Sequence, residues 1–408
     1  MYKKTVKRIL RDLSHVRTGG SEEELKAAEY LRDECISMGI AATIEPFSVP
    51  MADIKSASLE ADGRSVPCRA YRCCGSSGIE APLVYLPSVD PVYLPRVKDS
   101  VVLLDTGVGY FSLRDLVDNG ALGIITYDGN LRYADRDVDQ KELRSYIAQG
   151  IKLPCVSINA KDAFGLVRSG ARRVRISIDQ NEYEGESRNV IAELPGKNGR
   201  FITLTAHYDS TFLSKGAYDN LSGCLGVLCA AENLVKNAPH NYGFRFIFCG
   251  SEERGLLGAK SYVASHPDEI ELTDLNVNYD MIGTYMGKFC ATCSAEEGLV
   301  TYLEYMGAEL DHPCSARQGV HSSDSTPFAD AGVPAVTFVR RAPVNMATIH
   351  NRYDTPELLD PEVILADGAF AAEFVRRMGD SPRCPVKREI PEKVKKELDE
   401  YLFRKRRS

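Results

Sequence analysis

From Ser187 onward the chain alternates apolar, strand-like runs with helical stretches, and this rhythm constrains the fold more than any other feature. NVIAELPG and FITLTAHYDS read as strands, and Leu221–Asn237 as a helix with Ala, Leu and Val at helical spacing. YGFRFIFCGSEE is a buried strand running into acidic residues, Gly258–His266 a helix and LNVNYDMIG a further strand. AVTFVRR and a helix over Asp360–Met378 complete the series. Such alternation predicts a largely parallel sheet with helices on both faces. Ligands of these sheets sit beyond the carboxyl ends of the strands.

Ahead of this region, Thr5–Val16 and Ser21–Met38 read as helices. The second opens with Ser21 and Glu24 in a capping-box pattern and ends at Gly39. Ala41–Val49 alternates like a strand. Between about Asp53 and Asp179 the texture changes to short β-rich runs: SASLEA, APLVYLP, SVVLLDT, LGIITYD, PCVSIN and RRVRISI. Helical stretches interrupt them only near Tyr110–Asn119 and Lys161–Ser169, and the polar Lys141–Ala148 reads as a mobile loop. At 408 residues two domains are expected, the β-rich one inserted in the other. The boundaries read as 1–52 with 183–385, an insertion at 53–182, and a charged C-terminal segment at 386–408. That segment, ending PEKVKKELDEYLFRKRRS, reads as a solvated surface helix or frayed tail.

Five metal-binding side chains fall in the order His207, Asp219, Glu253, Asp280 and His350, with Glu252 directly before Glu253. His207, Glu252 and Asp280 each follow a strand-like run, so a parallel sheet would bring them together although they are far apart in sequence. Alternate strand residues share a face, so Asp209 can reach the ring nitrogen that His207 does not offer to a metal, fixing its tautomer. Asp219 lies in GAYDNLSG, a glycine-flanked turn that equally suits a helix start; its two oxygens could instead bridge paired metals ~3.5–4 Å apart. Of the adjacent acids Glu252 and Glu253, one can ligate while the other faces water. His350 lies in a polar loop with Asp354 nearby. The set can hold two zinc ions and leave one carboxylate as a base, which is equipment for hydrolysing a peptide bond.

Composition narrows the partners. A net charge of −7 argues against nucleic acid. No stretch approaches the ~20 apolar residues that span a bilayer, and the basic N-terminus lacks the apolar core of a signal peptide. The expected location is cytoplasmic. The 12 scattered Cys, several in apolar runs (Cys155, Cys224, Cys229, Cys249), agree with buried thiols in a reducing compartment. Cys290 and Cys293 form one CxxC, read as packing, with a redox or disulfide role as the alternative.

HYDS, GAYDNLSG, SEERGLLGAKSYV, NYDMIG, SSDSTPFADAGVPAVTF (Ser322–Phe338) and the opening GGSEEELKAAEYLRDECISMGI together resemble the M28 family of zinc aminopeptidases. The insertion, chiefly KDSVVLLDTGVGYFSLRDLVDNGALGIITYDG, resembles a protease-associated (PA) domain. The resemblance implies a zinc-exopeptidase-like fold, a mixed and largely parallel sheet sandwiched by helices. It implies one zinc on His207, Asp219 and Asp280 and a second on Asp219, Glu253 and His350, with Asp219 bridging. Glu252 would be general base and then acid, Asp209 would orient His207, and the Asp219–Asn220 peptide would be cis. The substrates would be peptides with a free N-terminus.

One departure concerns the oxyanion. The family often has a Tyr or His close to the Ser-Asp pair; here Ser325 follows Ser323-Asp324, and the upstream neighbours are Val320 and His321. His321 is the side-chain donor candidate, against a structural or solvent-facing histidine. Alternatives to an aminopeptidase are a related dinuclear carboxypeptidase or dipeptidase, a single-zinc glutaminyl cyclase, and a non-catalytic peptide-binding protein on the same fold. Arg340 and Arg341 read as solvent-facing, with recognition of an acidic substrate as the alternative. Oligomeric state is open.

Overall fold

The computed structural model describes residues 1–105, 107–344 and 346–406. The chain divides into two compact units, one of Met1–Ser48 with Glu186–Ser408 and one of Val49–Gly185. No helix among the described residues is long and apolar enough to cross a membrane.

In the larger unit four central strands run parallel in the order Ala335–Arg341, Thr273–Tyr279, Phe201–His207, Gly243–Cys249. Residues 190–194 flank Gly243–Cys249 antiparallel. On the other side Lys288–Ser294 joins Ala335–Arg341 antiparallel and carries Ser315–Gln318 parallel to itself. The sheet is therefore mixed and largely parallel. Along Gly243–Cys249, Phe244, Phe246 and Phe248 pack with the helices Lys3–Leu13, Glu22–Ser37, Ser222–Lys236 and Pro361–Asp380. Ile247 and Cys249 point the other way, onto Ala259, Tyr262 and Phe328. That alternation buries the strand on both faces, as a central strand requires, and each fully buried apolar side chain contributes roughly 1.5–3 kcal/mol. Register levels the strand ends: His207 pairs with Cys249, and Thr205 with Asn278.

In the smaller unit Ser77–Leu86, Ser100–Leu104, Ala121–Asp128 and Cys155–Asn159 form a parallel run. Residues 173–178 and Cys68–Ala70 add to its two edges antiparallel. Lys141–Ala148, read as a mobile loop, is tied into this unit by hydrogen bonds and ends in the short helix Ser145–Ala148. Arg72 N donates to Lys141 O at 2.9 Å, Leu143 N to Arg72 O at 2.9 Å, and Leu143 and Ile147 are buried.

The C-terminal segment also departs from the expected solvated tail. Glu392–Tyr401 is a helix whose Val394 and Leu398 are buried with Ile390, Ala329 and Ala335. The spacing of Ile390, Val394 and Leu398, one every fourth residue, supplies the apolar stripe that docks it. Arg340 is not solvent-facing: its guanidinium forks onto the buried Asp367, Nε at 2.7 Å and Nη2 at 2.5 Å. Arg341 is exposed. Cys290 and Cys293 lie on Lys288–Ser294, without a disulfide, and Cys293 is buried.

The helix Glu22–Ser37 is capped as its sequence suggests, Ser21 Oγ accepting from Glu24 N at 3.1 Å. Glu24 itself is fully buried, accepting from Gly20 N at 2.8 Å and Ser187 Oγ at 2.6 Å. Burial, with the negative charge of Asp209 nearby, pushes its carboxyl up from 4.5 to about 8. The folded state thus holds this proton more tightly than the unfolded chain. The resulting stability is fully present below pH 4.5 and is lost as pH rises through about 8. Melting curves of the wild type and Glu24→Gln, taken across pH 5–9, should therefore diverge, the wild type losing ground to the variant as pH rises. Parallel curves would show that Glu24 is already ionised in the fold.

Candidate metal centre

His207 closes the strand Phe201–His207, and Asp280 directly follows Thr273–Tyr279. Because the two strands are neighbours in register, the two side chains emerge at one level. Glu252 and Glu253 follow the adjacent strand Gly243–Cys249 and are fixed by Asp209. Asp209 Oδ1 accepts from Glu252 N at 2.9 Å and Oδ2 from Glu253 N at 3.2 Å, while Oδ1 also lies 3.5 Å from His207 Nδ1. One buried carboxylate thus ties down the backbone of both acids and stands beside the imidazole.

Asp219 is aimed by its neighbours. The Asp219–Asn220 peptide bond is cis. Asn220 Nδ2 donates to Tyr279 O at 2.8 Å, and its Oδ1 accepts from Met281 N at 2.9 Å, tying this turn to the segment carrying Asp280. Asp354, fully buried, accepts from Tyr218 N at 2.7 Å and Asp219 N at 3.1 Å. The outcome is a carboxylate whose oxygens face different imidazoles. Oδ1 lies 3.1 Å from His207 Nε2, and Oδ2 lies 3.1 Å from His350 Nε2. His350 Nε2 is also 3.0 Å from Glu253 Oε2.

Ligand atoms of His207, Asp219 and Asp280 lie within 4.8 Å of one another, and so do those of Asp219, Glu253 and His350. Each group offers one imidazole and two carboxylates, a donor set suited to a divalent cation such as zinc. Asp280 Oδ1 is shut off from solvent and makes no hydrogen bond, and an ionised oxygen so placed needs a cation. Burial, together with Asp219, pushes Asp280 up to about 6. Burial and Asp219 likewise push Glu253 up to about 7. Burial raises Glu252 far above the carboxylate range, Glu253, Asp324 and Asp280 adding to it. These groups gather more negative charge than two imidazoles can balance, which positive ions would relieve. The residues therefore fit metal binding. His350 is exposed and Glu253 partly so, whereas His207, Asp219 and Asp280 are buried, so the centre opens to solvent on the side of His350 and Glu253.

His321 stands beside this group, Nε2 4.0 Å from Asp280 Oδ2. Burial, with Arg341 and Arg317 near, lowers it to about 4, so the ring is neutral at physiological pH. Several supporting residues escape a reading of the sequence. Ser323 Oγ donates to Asp280 Oδ2 at 2.6 Å and accepts from Asn278 Nδ2 at 2.6 Å. Arg17, in the HVRTGG loop, donates to the carbonyls of Lys215 and Gly216 just before Asp219. The SSD run carried a signal for the first; a lone arginine in a polar loop carried none for the second.

A family model described as peptidase family M28 matches residues 189–375. Aminopeptidase YwaD of Bacillus subtilis is 27% identical over 363 residues, 84% of this chain and 75% of that protein. The probable lipoprotein aminopeptidase LpqL of Mycobacterium tuberculosis is 27% identical over 297 residues, 67% of this chain and 57% of LpqL. Leucine aminopeptidase 2 of Arthroderma otae is 32% identical over 199 residues, 47% of this chain and 39% of that protein. The fold is that of an aminopeptidase from Aneurinibacillus sp. strain AM-1, with TM-score 0.76 and 24% identity, covering 95% of this chain and 96% of that one. It also matches BSAP, described as a zinc aminopeptidase from Bacillus subtilis, with TM-score 0.77 and 22% identity over 96% of this chain and 98% of that one.

Proposed function

We propose, on the premise that the chain belongs to peptidase family M28 and is a metal-dependent aminopeptidase, that it removes N-terminal residues from peptides with two zinc ions and Glu252 as general base. The observation that carries this reading is Asp219, whose two oxygens face the imidazoles of His207 and His350. His207, Asp219 and Asp280 would hold one ion, and Asp219, Glu253 and His350 the other. When bound, such ions acidify water and polarise a substrate carbonyl.

The chain's own residues supply the proton chemistry. Glu252 belongs to neither ligand group, yet its Oε2 lies 3.9 Å from His207 Nε2. A carboxylate left free of the metals and placed beside His207 is positioned to take a proton from the attacking water and return it to the leaving amine. Asp209 holds the His207 ring. A neutral His321 has one N–H to donate to the carbonyl oxygen as negative charge develops there. For the unit Val49–Gly185, the resemblance of its KDSVVLLDTG segment supports a protease-associated domain.

The test is metal removal and return on a substrate panel. After chelation, activity should vanish, and about two equivalents of zinc per chain should restore it fully. Aminoacyl p-nitroanilides should be cleaved, whereas N-acetylated anilides and C-terminal reporters should be untouched. Activity in metal-free protein, or cleavage of the blocked substrates, would overturn the reading.

A further inference from the structure

Between the short edge strand Ser315–Gln318 and the six-residue helix Ser325–Asp330, residues 319–324 carry His321 without regular structure of their own. Such a stretch cannot fix an imidazole unless something outside it does. Three contacts from the C-terminal segment meet it. Glu397 Oε2 accepts from Val320 N at 3.0 Å. Tyr401 and Ser322 share a hydroxyl hydrogen bond of 2.6 Å. The side chain of Val320 packs against the cluster of Ile390, Val394, Leu398, Ala329 and Ala335. The residues before and after His321 are thus both held by Glu392–Tyr401, and Thr326 Oγ1 donates to the carbonyl of His321 itself at 2.7 Å.

The helix is in turn anchored at both ends. Arg404 forks onto Asp330 with two contacts of 2.7 Å, and Asp330 ends the helix that follows the Ser323-Asp324 pair. Arg388, on the approach to the helix, donates to Thr273 O at 3.0 Å and to Ile270 O at 2.8 Å. Gly319 completes the fit. It sits at φ +153°, and a Cβ there would come within 2.8 Å of Glu397 Oε2. The family match ends at residue 375, so this whole segment lies outside it.

We infer that the C-terminal helix is a positioning element for the reaction, with Glu397 holding the Val320 N–H and Tyr401 the Ser322 hydroxyl on either side of His321 so that its ring faces the metal centre. The inference rests on the reading of His321 as carbonyl donor. A donor displaced by about 1 Å can cost as much as 10²-fold in rate, so a helix that touches no substrate can still set turnover.

The experiment compares Glu397→Ala, Glu397→Gln, Tyr401→Phe, His321→Ala and the doubles His321→Ala/Glu397→Ala and His321→Ala/Tyr401→Phe on an aminoacyl p-nitroanilide. Zinc content and melting temperature are measured alongside. His321→Ala is expected to lower kcat by roughly 10²-fold with KM little changed. Glu397→Ala and Tyr401→Phe are each expected to lower kcat by roughly tenfold or more, with KM, zinc content and melting temperature near wild type. Glu397→Gln keeps an acceptor oxygen and should recover most of that loss. In the His321→Ala background either helix change should cost less than about twofold more, because changes acting through one group do not add. Losses as large in that background as in the wild type would overturn the inference while leaving the role of His321 standing. So would wild-type turnover in both helix variants. Wild-type turnover in His321→Ala alone would remove the donor reading, and the positioning role with it. Should Glu397→Ala fail to fold, Tyr401→Phe, which deletes one hydroxyl, decides the matter with its double.

Discussion

Glu252→Gln is expected to retain its zinc and lose turnover by between roughly 10² and 10⁴-fold, the range of general-base removal. The amide matches the carboxylate in shape and leaves the backbone N–H of residue 252 on Asp209 Oδ1, 2.9 Å away. What it cannot do is accept a proton. Glu253→Gln should behave in the opposite sense. Glu253 Oε2 lies 3.0 Å from His350 Nε2 and belongs to the second ligand group, so its replacement should lower metal occupancy first and activity through it. Zinc content and kcat measured on both variants separate the two roles. If Glu252→Gln lost metal while Glu253→Gln kept it, the assignment within the pair would be inverted.

The adjacency of these two acids shows how far the sequence could lead. That FRFIFCG emerges from a buried strand was legible from its apolar run. So was the convergence of its end with those of FITLTAH and LNVNY, since parallel neighbours in register finish together. Which acid turns which way was not. The backbone of both is held from outside the local sequence by Asp209, two residues beyond a different strand, accepting both N–H groups. Asp219 was ambiguous for the same reason. GAYDNLSG suits a helix start as well as a ligand, and what decides is Asn220 bonding Tyr279 and Met281 some sixty residues away. No local pattern encodes a contact at that separation.

Other differences had a signal that a charge-based reading outweighed. Ile390, Val394 and Leu398 recur every fourth residue within PEKVKKELDEY, and that stripe is what docks the helix. Arg340 looked solvent-facing because a strand end usually is, yet Asp367, on Pro361–Asp380, supplies a buried partner. The short edge strand Ser315–Gln318 gave little warning, since an edge strand needs neither a long apolar run nor two buried faces.

Arg17→Met is expected to destabilise the fold by more than about 3 kcal/mol and to weaken zinc binding at the same time. Arg17 is fully buried, among the largest such side chains, and no acid among the described residues neutralises it by direct contact. Its guanidinium is spent on backbone carbonyls instead. Nε donates to Tyr208 O, Nη1 to Leu13 O and His15 O at 3.0 Å and to Lys215 O at 2.6 Å, and Nη2 to Gly216 O at 2.8 Å. Methionine fills much of the volume but donates nothing. Each buried carbonyl left without a donor costs about 1–3 kcal/mol before the loops relax. Two of the tethered segments carry the centre: Tyr208 lies between His207 and Asp209, and Lys215–Gly216 leads into the turn of Asp219. Gly216 adopts φ +56°, and a Cβ there would come within 2.9 Å of Nη2, so the turn is shaped around the guanidinium. Arg17→Lys, with a single terminal nitrogen, should recover only part of the loss, because three donors on one atom cannot reproduce the planar fork. Unfolding midpoints measured on zinc-free protein separate the fold's own loss from the stabilisation that bound metal adds by mass action. A wild-type midpoint with undiminished zinc affinity in Arg17→Met would show that the two segments hold their shape without this tether.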